Sequence, residues 1–237
     1  MPLSNIHYLP LALPFFLALL FLFALLVILI EIRIIEYAYK RMGISHRYIF
    51  ALLLFSLLGS YVNIPVAALP AGQVLSGREI TFFGMRYVIP MVEGWTRTVI
   101  ALNLGGAIIP ALLSLYLLVK NRLYGRGLIG VATVTVIVHM TAYPVKGVGI
   151  AVPIFIPPLA AAGVGLILSR RFAPPLAYIA GSLGTLIGAD LLNLGEIQRL
   201  GAPIASIGGA GTFDAIFLTG ILAVLLAGLF TPKSRRR

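Results

Sequence analysis

The chain has no cysteine, which excludes disulfides, thiolate metal sites and cysteine nucleophiles. Charge is scarce as well. Only 11% of the 237 residues are charged, against about a quarter in soluble domains, and mean hydropathy is +1.04. Acidic residues number seven, and only Asp190 and Asp214 are aspartates. The three histidines, His7, His46 and His139, lie in unrelated segments without an H-E-x-x-H pattern, so a zinc hydrolase is not expected. No G-x-S-x-G surrounds a serine, and no Walker lysine follows a glycine loop. The opening "MPLSNIHYLP" lacks the basic region of a secretory signal, so none is expected. These absences leave no cofactor or metal site to expect.

What remains is long apolar runs with charge at their ends. At about 20 residues per span, the sequence predicts an all-α, polytopic membrane bundle forming one transmembrane domain, 1–237. Its seven spans fall near 9–30, 48–69, 98–119, 128–142, 153–169, 175–194 and 204–230. Of the 18 Lys and Arg residues, 13 collect on one side, including Lys40, Arg41, Arg47, Lys120, Arg122 and the closing Arg235–Arg237. Five fall on the other: Arg78, Arg86, Arg97, Lys146 and Arg199. The positive-inside rule therefore places the N-terminus outside and the C-terminus in the cytoplasm of a multi-pass cell-membrane protein. The net charge of +11 is membrane-flanking, so the bilayer is the expected partner and nucleic acid is not. The oligomeric state is left open.

Two connections stand out. "REITFFGMRYVIP" (Arg78–Pro90) carries β-branched and aromatic residues around Gly84, which predicts a small extracytoplasmic hairpin in the 71–97 loop. "YPVKGVGIAVPIFIPP" (Tyr143–Pro158) is apolar but broken by proline and glycine, and is expected to be buried, cavity-lining or interfacial.

Chemistry should centre on the aspartates, because all five glutamates fall in loops or at span ends. A carboxylate inside a span costs several kcal/mol and usually faces the bundle interior for a functional reason. Asp190 is about 6 Å inside the outer end of its span at 1.5 Å per residue. Asp214, counted from a helix starting near Gly209, reaches a similar depth. Gly181, Gly184 and Gly188 on one span, and Gly208, Gly209 and Gly211 on the next, form small faces that let helices approach closely. Two such carboxylates would share a proton. That arrangement suits a di-aspartyl hydrolase acting on a transmembrane peptide, or a proton- or cation-coupled transporter moving a small ion. Alternatively, each aspartate caps a broken helix in a structural scaffold. Asn193, three residues after Asp190, together with His139 and Asn103, are candidate neighbours; Asn63 is a further polar group inside a span. A dinucleotide loop at Gly209–Asp214 is excluded, since no solvated strand precedes it and its third glycine is aspartate.

"YPVKGVGIAVPIFIPPLAAA", "GTLIGADLLNL" and "GAPIASIGGAGTFDAIFLTG" resemble a prokaryotic membrane family defined as domain of unknown function 1614, over most of the chain. That resemblance implies no chemistry. A weaker one is to the intramembrane aspartyl proteases, the presenilin and signal-peptide-peptidase group. It would make Asp190 the first catalytic aspartate and Asp214 the second, with Gly209 and Gly211 as the motif glycines. The sequence departs from that pattern: Thr212 and Phe213 separate Gly211 from Asp214, Ala189 stands where tyrosine is expected, and Pro110-Ala111-Leu112 comes too early.

Overall fold

The computed structural model describes residues 13–31, 37, 40–70, 79–82, 85–88, 97–145, 149–199, 204–209 and 215–231. Seven principal helices run in chain order: α1 (Leu13–Glu31), α2 (His46–Gly59), α3 (Leu104–Lys120), α4 (Tyr124–Thr141), α5 (Ile156–Leu168), α6 (Ala173–Thr185) and α7 (Ala215–Leu229). Proline pre-sets the first turns of α5 and α6, where no intrahelical N–H partner is lost. α6 is the central post. Every residue in it except Leu183 is buried, and it packs against α3, α4, α5 and α7.

The core explains the glycine and alanine content. Ala161, Ala162, Ala177, Ala180, Ala223 and Ala227 form one cluster with Val134 and Val138. A β-carbon at Gly184 would stand 2.7 Å from Val134 Cβ, and one at Gly188 would stand 2.6 Å from the Thr135 carbonyl. The small face of α6 thus admits α4 nearly backbone to backbone, the packing that small residues allow in lipid.

The helical continuation Arg170–Glu196 is long and apolar enough to cross a membrane, and Leu104–Lys120, Ile156–Leu168 and Ile216–Leu229 are shorter apolar helices. Outward-facing side chains are apolar too: Met140 is 79% exposed and Ile167 85%. Patches of this kind mark surfaces that meet lipid or protein rather than water.

The all-α expectation needs correction. Among the described residues seven strands accompany the helices: β1 (Asn63–Pro70), β2 (Glu79–Phe82), β3 (Met85–Val88), β4 (Arg97–Asn103), β5 (Tyr143–Val145), β6 (Gly149–Ala151) and β7 (Ile204–Ile207). The 71–97 hairpin is present as β2 and β3, with Glu79 opposite Val88 and Phe82 opposite Met85. The segment 143–158 holds a second antiparallel hairpin, β5–β6, before α5 begins.

Three expected spans are part strand. The second helix stops at Gly59 and continues as β1; the third span opens as β4 and the seventh as β7. These strands form one sheet in the order β1-β4-β7, antiparallel then parallel. Proline is the local reason in β1. Pro65 has no N–H and disfavours helix at the residue before it, and the ladder shifts register between Pro65 and Ala67, the bulge that a strand proline imposes.

The joints between strand and helix are tight. α3 opens with a π turn, Leu104–Ile108, capped by the Asn103 side chain. α2 crosses that turn so closely that Ser56 Oγ donates to the Gly105 carbonyl at 2.8 Å. At the other end of the bundle, Arg41 Nη2 donates to Tyr37 Oη (2.6 Å) and to the Thr231 carbonyl (3.0 Å), while Tyr37 Oη donates to the Gly228 carbonyl (2.9 Å). A cation there complements the C-terminal dipole of α7.

Candidate functional site

Chain connectivity brings the sheet, the end of α6 and the end of α4 to one end of the bundle, opposite the end holding Lys120, Arg122, Arg170 and Arg171. Most of the residues singled out by sequence meet there.

Asp190 closes a π turn, Leu186–Asp190, that follows α6, and the chain continues as a 3-10 helix, Leu191–Arg199. This break in regular helix sets the carboxylate against the strand segment. The Gly208 N–H donates to Asp190 Oδ2 at 2.7 Å. Gly208 is the first residue after β7 and has φ +90°, a left-handed conformation suited to glycine. An added β-carbon at Gly208 would lie 2.6 Å from Ala107 N and 2.7 Å from Ala107 Cβ. Gly208 is therefore wedged between the α3 π turn and Asp190. The helical packing face expected at Gly208 and Gly209 is replaced here by a turn, since β7 ends at Ile207 and Gly208 follows it outside any helix.

A second network reaches the same turn. Asn103, fully buried, has Nδ2 donating to the Ser60 carbonyl (2.6 Å) and to Asn63 Oδ1 (3.2 Å), and Oδ1 accepting from the Gly106 N–H (2.8 Å). Ser206 Oγ lies 2.5 Å from both Asn63 Oδ1 and the Gly209 carbonyl, and its single proton serves one of them at a time. Hydrogen bonds thus run from the end of α2 through Asn103, Asn63 and Ser206 to Gly209, beside the residue that holds Asp190. Replacing Asn103 with leucine, nearly equal in size, strands the Gly106 N–H and the Ser60 carbonyl. A loss of about 2–5 kcal/mol is expected, read as a lowered thermal midpoint in detergent; a midpoint within 1–2 °C of wild type, roughly the shift of a neutral surface change, would contradict it.

Asn193 and His139 also come together, at 3.4 Å between Nδ2 and Nδ1. Asn193 does not extend an Asp190 face in the way regular helical spacing suggests. Its Nδ2 donates to the Gly188 and Ala189 carbonyls (3.0 and 2.9 Å), which the change from π to 3-10 winding leaves available. Gly211 and Asp214 lie outside the described residues, so their expected approach to Asp190 is untested; Gly208 stands six positions before Asp214 in the same segment. Sequence reasoning missed Ser60 and Ser206, read Gly208 as a packing residue and not as a donor to Asp190, and left Asn63 aside. The available signal was a pair of polar residues inside apolar runs flanked by proline or glycine, "NIPVAALP" and "IASIGG".

No curated protein and no solved structure matches the chain. The family model described as protein of unknown function (DUF1614) matches residues 57–226, which takes in α3 to α6, the three-stranded sheet and nearly all of α7. The chain belongs to that family.

Proposed function

We propose that this protein is a seven-span membrane protein of the cell membrane, N-terminus outside, whose outer end carries an aspartyl hydrolase site acting on a peptide segment of a membrane-embedded substrate. One observation carries this reading: the Asp190 carboxylate is tied to the residue that follows β7. Among the described residues β7 pairs on one side only, with β4. An extended peptide adding to its other edge, by the strand-addition mode of recognition, passes beside Asp190. In hydrolysis one carboxylate takes a proton from water while the second donates a proton to the scissile carbonyl. Asp190 is one of the pair, and Asp214, carried by the segment that follows Gly208, is the other.

Asp190→Asn and Asp214→Asn are each expected to lower cleavage of a reconstituted spanning peptide by about 10³-fold or more, the loss usual for removing an essential acid–base group. Cleavage at wild-type rate in either variant overturns the proposal.

A specific observation also favours proton- or cation-coupled transport. Ser114, Thr135, Ser182 and Thr185 are buried hydroxyls without hydrogen-bond partners among the described residues, and Asp190 sits where the helix is broken, as ion sites in transporters do. Under this reading the same Asp190→Asn change removes pH-driven uptake into liposomes and leaves peptides untouched.

A further inference from the structure

A cleft of about 930 Å³ lies between α2 and α3. Its shape follows from the crossing of the two helices. Gly59 and Gly105 form the apex, where a β-carbon on Gly59 would stand 3.0 Å from Gly105 N. From there the helices splay toward the opposite end of the bundle. The walls are Leu52, Phe55, Leu58 and Leu112, and Tyr48, Tyr116 and Lys120 stand at the mouth. Among the described residues Lys120 is the one charged member of the lining. A smaller cleft of about 390 Å³, lined among the described residues by α3 alone, adds Leu115 and Val119 and shares Leu112, Tyr116 and Lys120.

Two apolar clefts therefore converge on one ammonium group. Lys120 Nζ donates to the Gly43 carbonyl, which draws it across the mouth, and stands 5.2 Å from the centre of the Tyr116 ring. An ammonium has three protons; among the described residues the Gly43 carbonyl takes one of them, and the side chain is exposed. Tyrosine at such a mouth suits a headgroup boundary.

We propose that this face binds a two-chain glycerophospholipid with an anionic headgroup, one acyl chain in each cleft and the phosphate on Lys120. The inference rests on the membrane placement above and not on the hydrolase reading. Lys120 then lies on the cytoplasmic side, where anionic lipid and basic pockets between helices meet. A fatty acid leaves the second cleft empty, and a zwitterionic lipid carries no net charge for Lys120 to neutralise.

The test uses the full-length protein extracted in mild detergent, with phosphatidylglycerol and phosphatidylcholine of identical chains as probes, followed by native mass spectrometry and thermal unfolding. Phosphatidylglycerol is expected to be retained in preference and to raise the thermal midpoint. K120Q should weaken retention about fivefold, the factor for losing one lysine beside an anionic lipid surface. L112W, which fills both clefts without touching the charge, should weaken it also, whereas R126Q, outside both clefts, should not. Equal retention of the two lipids, or a K120Q protein that keeps the preference, overturns the proposal and leaves annular lipid only. Extraction of the protein by alkaline carbonate would instead overturn the membrane placement, a separate result.

Discussion

Replacing Gly105 with alanine is expected to give a larger loss of stability than alanine at any other glycine whose surroundings are described. The new β-carbon would fall 1.9 Å from the Ser56 carbonyl, 2.4 Å from Ser60 N and 2.8 Å from the Gly59 carbonyl carbon. All three are backbone atoms, so no side chain can swing aside. Relief requires α2 to move off the α3 π turn, which breaks the Ser56 Oγ bond to the Gly105 carbonyl and displaces Ser60 from Asn103. Overpacking costs about 1–3 kcal/mol where neighbours can yield and more where they cannot, so at least about 3 kcal/mol is expected here. For a domain of this size that lowers the thermal midpoint by about 6–12 °C. Gly163, where a β-carbon meets nothing within 4 Å, supplies the control: Gly163→Ala should match or exceed wild type, as helix propensity predicts. Equal midpoints for Gly105→Ala and Gly163→Ala would refute the packing described.

The second large effect is expected at Gly208, and it should appear in activity beyond its cost in stability. Alanine there meets two penalties: a side chain at φ +90°, about 1–2 kcal/mol, and a contact of 2.6 Å with Ala107 N. The turn has to rotate to escape, and that rotation removes the N–H from Asp190 Oδ2. Losing a typical hydrogen bond costs about 0.5–1.5 kcal/mol, and misplacing a reacting group by an ångström costs about 10²-fold in rate. The expected outcome is a folded, detergent-stable Gly208→Ala protein with cleavage, or pH-driven uptake, reduced by about 10²-fold. Isolating the folded fraction by size exclusion before assay separates this from unfolding. Full activity per folded molecule would show that the Gly208–Asp190 contact is incidental.

Much of the site was legible before any coordinates. Scarce charge makes Asp190 conspicuous inside an apolar run, and the cost of burying a carboxylate explains why such a residue has a partner. Asn103 and His139 were legible for the same reason. Their partners were not. Asn103 reaches Ser60 and Asn63, forty or more positions away, through the pairing of β1 with β4. Asn193 was placed on the Asp190 face by a 3.6-residue period that the chain does not keep there, because π and then 3-10 winding intervene.

The sequence by itself determined the apolar character and the 79–88 hairpin, since each follows from composition or from side chains within a few residues of one another. Only the tertiary structure decided that three expected spans are part strand. An apolar run of four to eight residues satisfies helix and buried strand equally well, and the choice depends on whether a partner supplies the backbone hydrogen bonds. For β4 that partner is β7, more than a hundred residues downstream, with Val99 opposite Ile204 and Leu102 opposite Ile207. Away from water each of those N–H and C=O groups needs an internal partner, and where that long-range pairing stops, at Ile207, the next N–H, that of Gly208, meets Asp190.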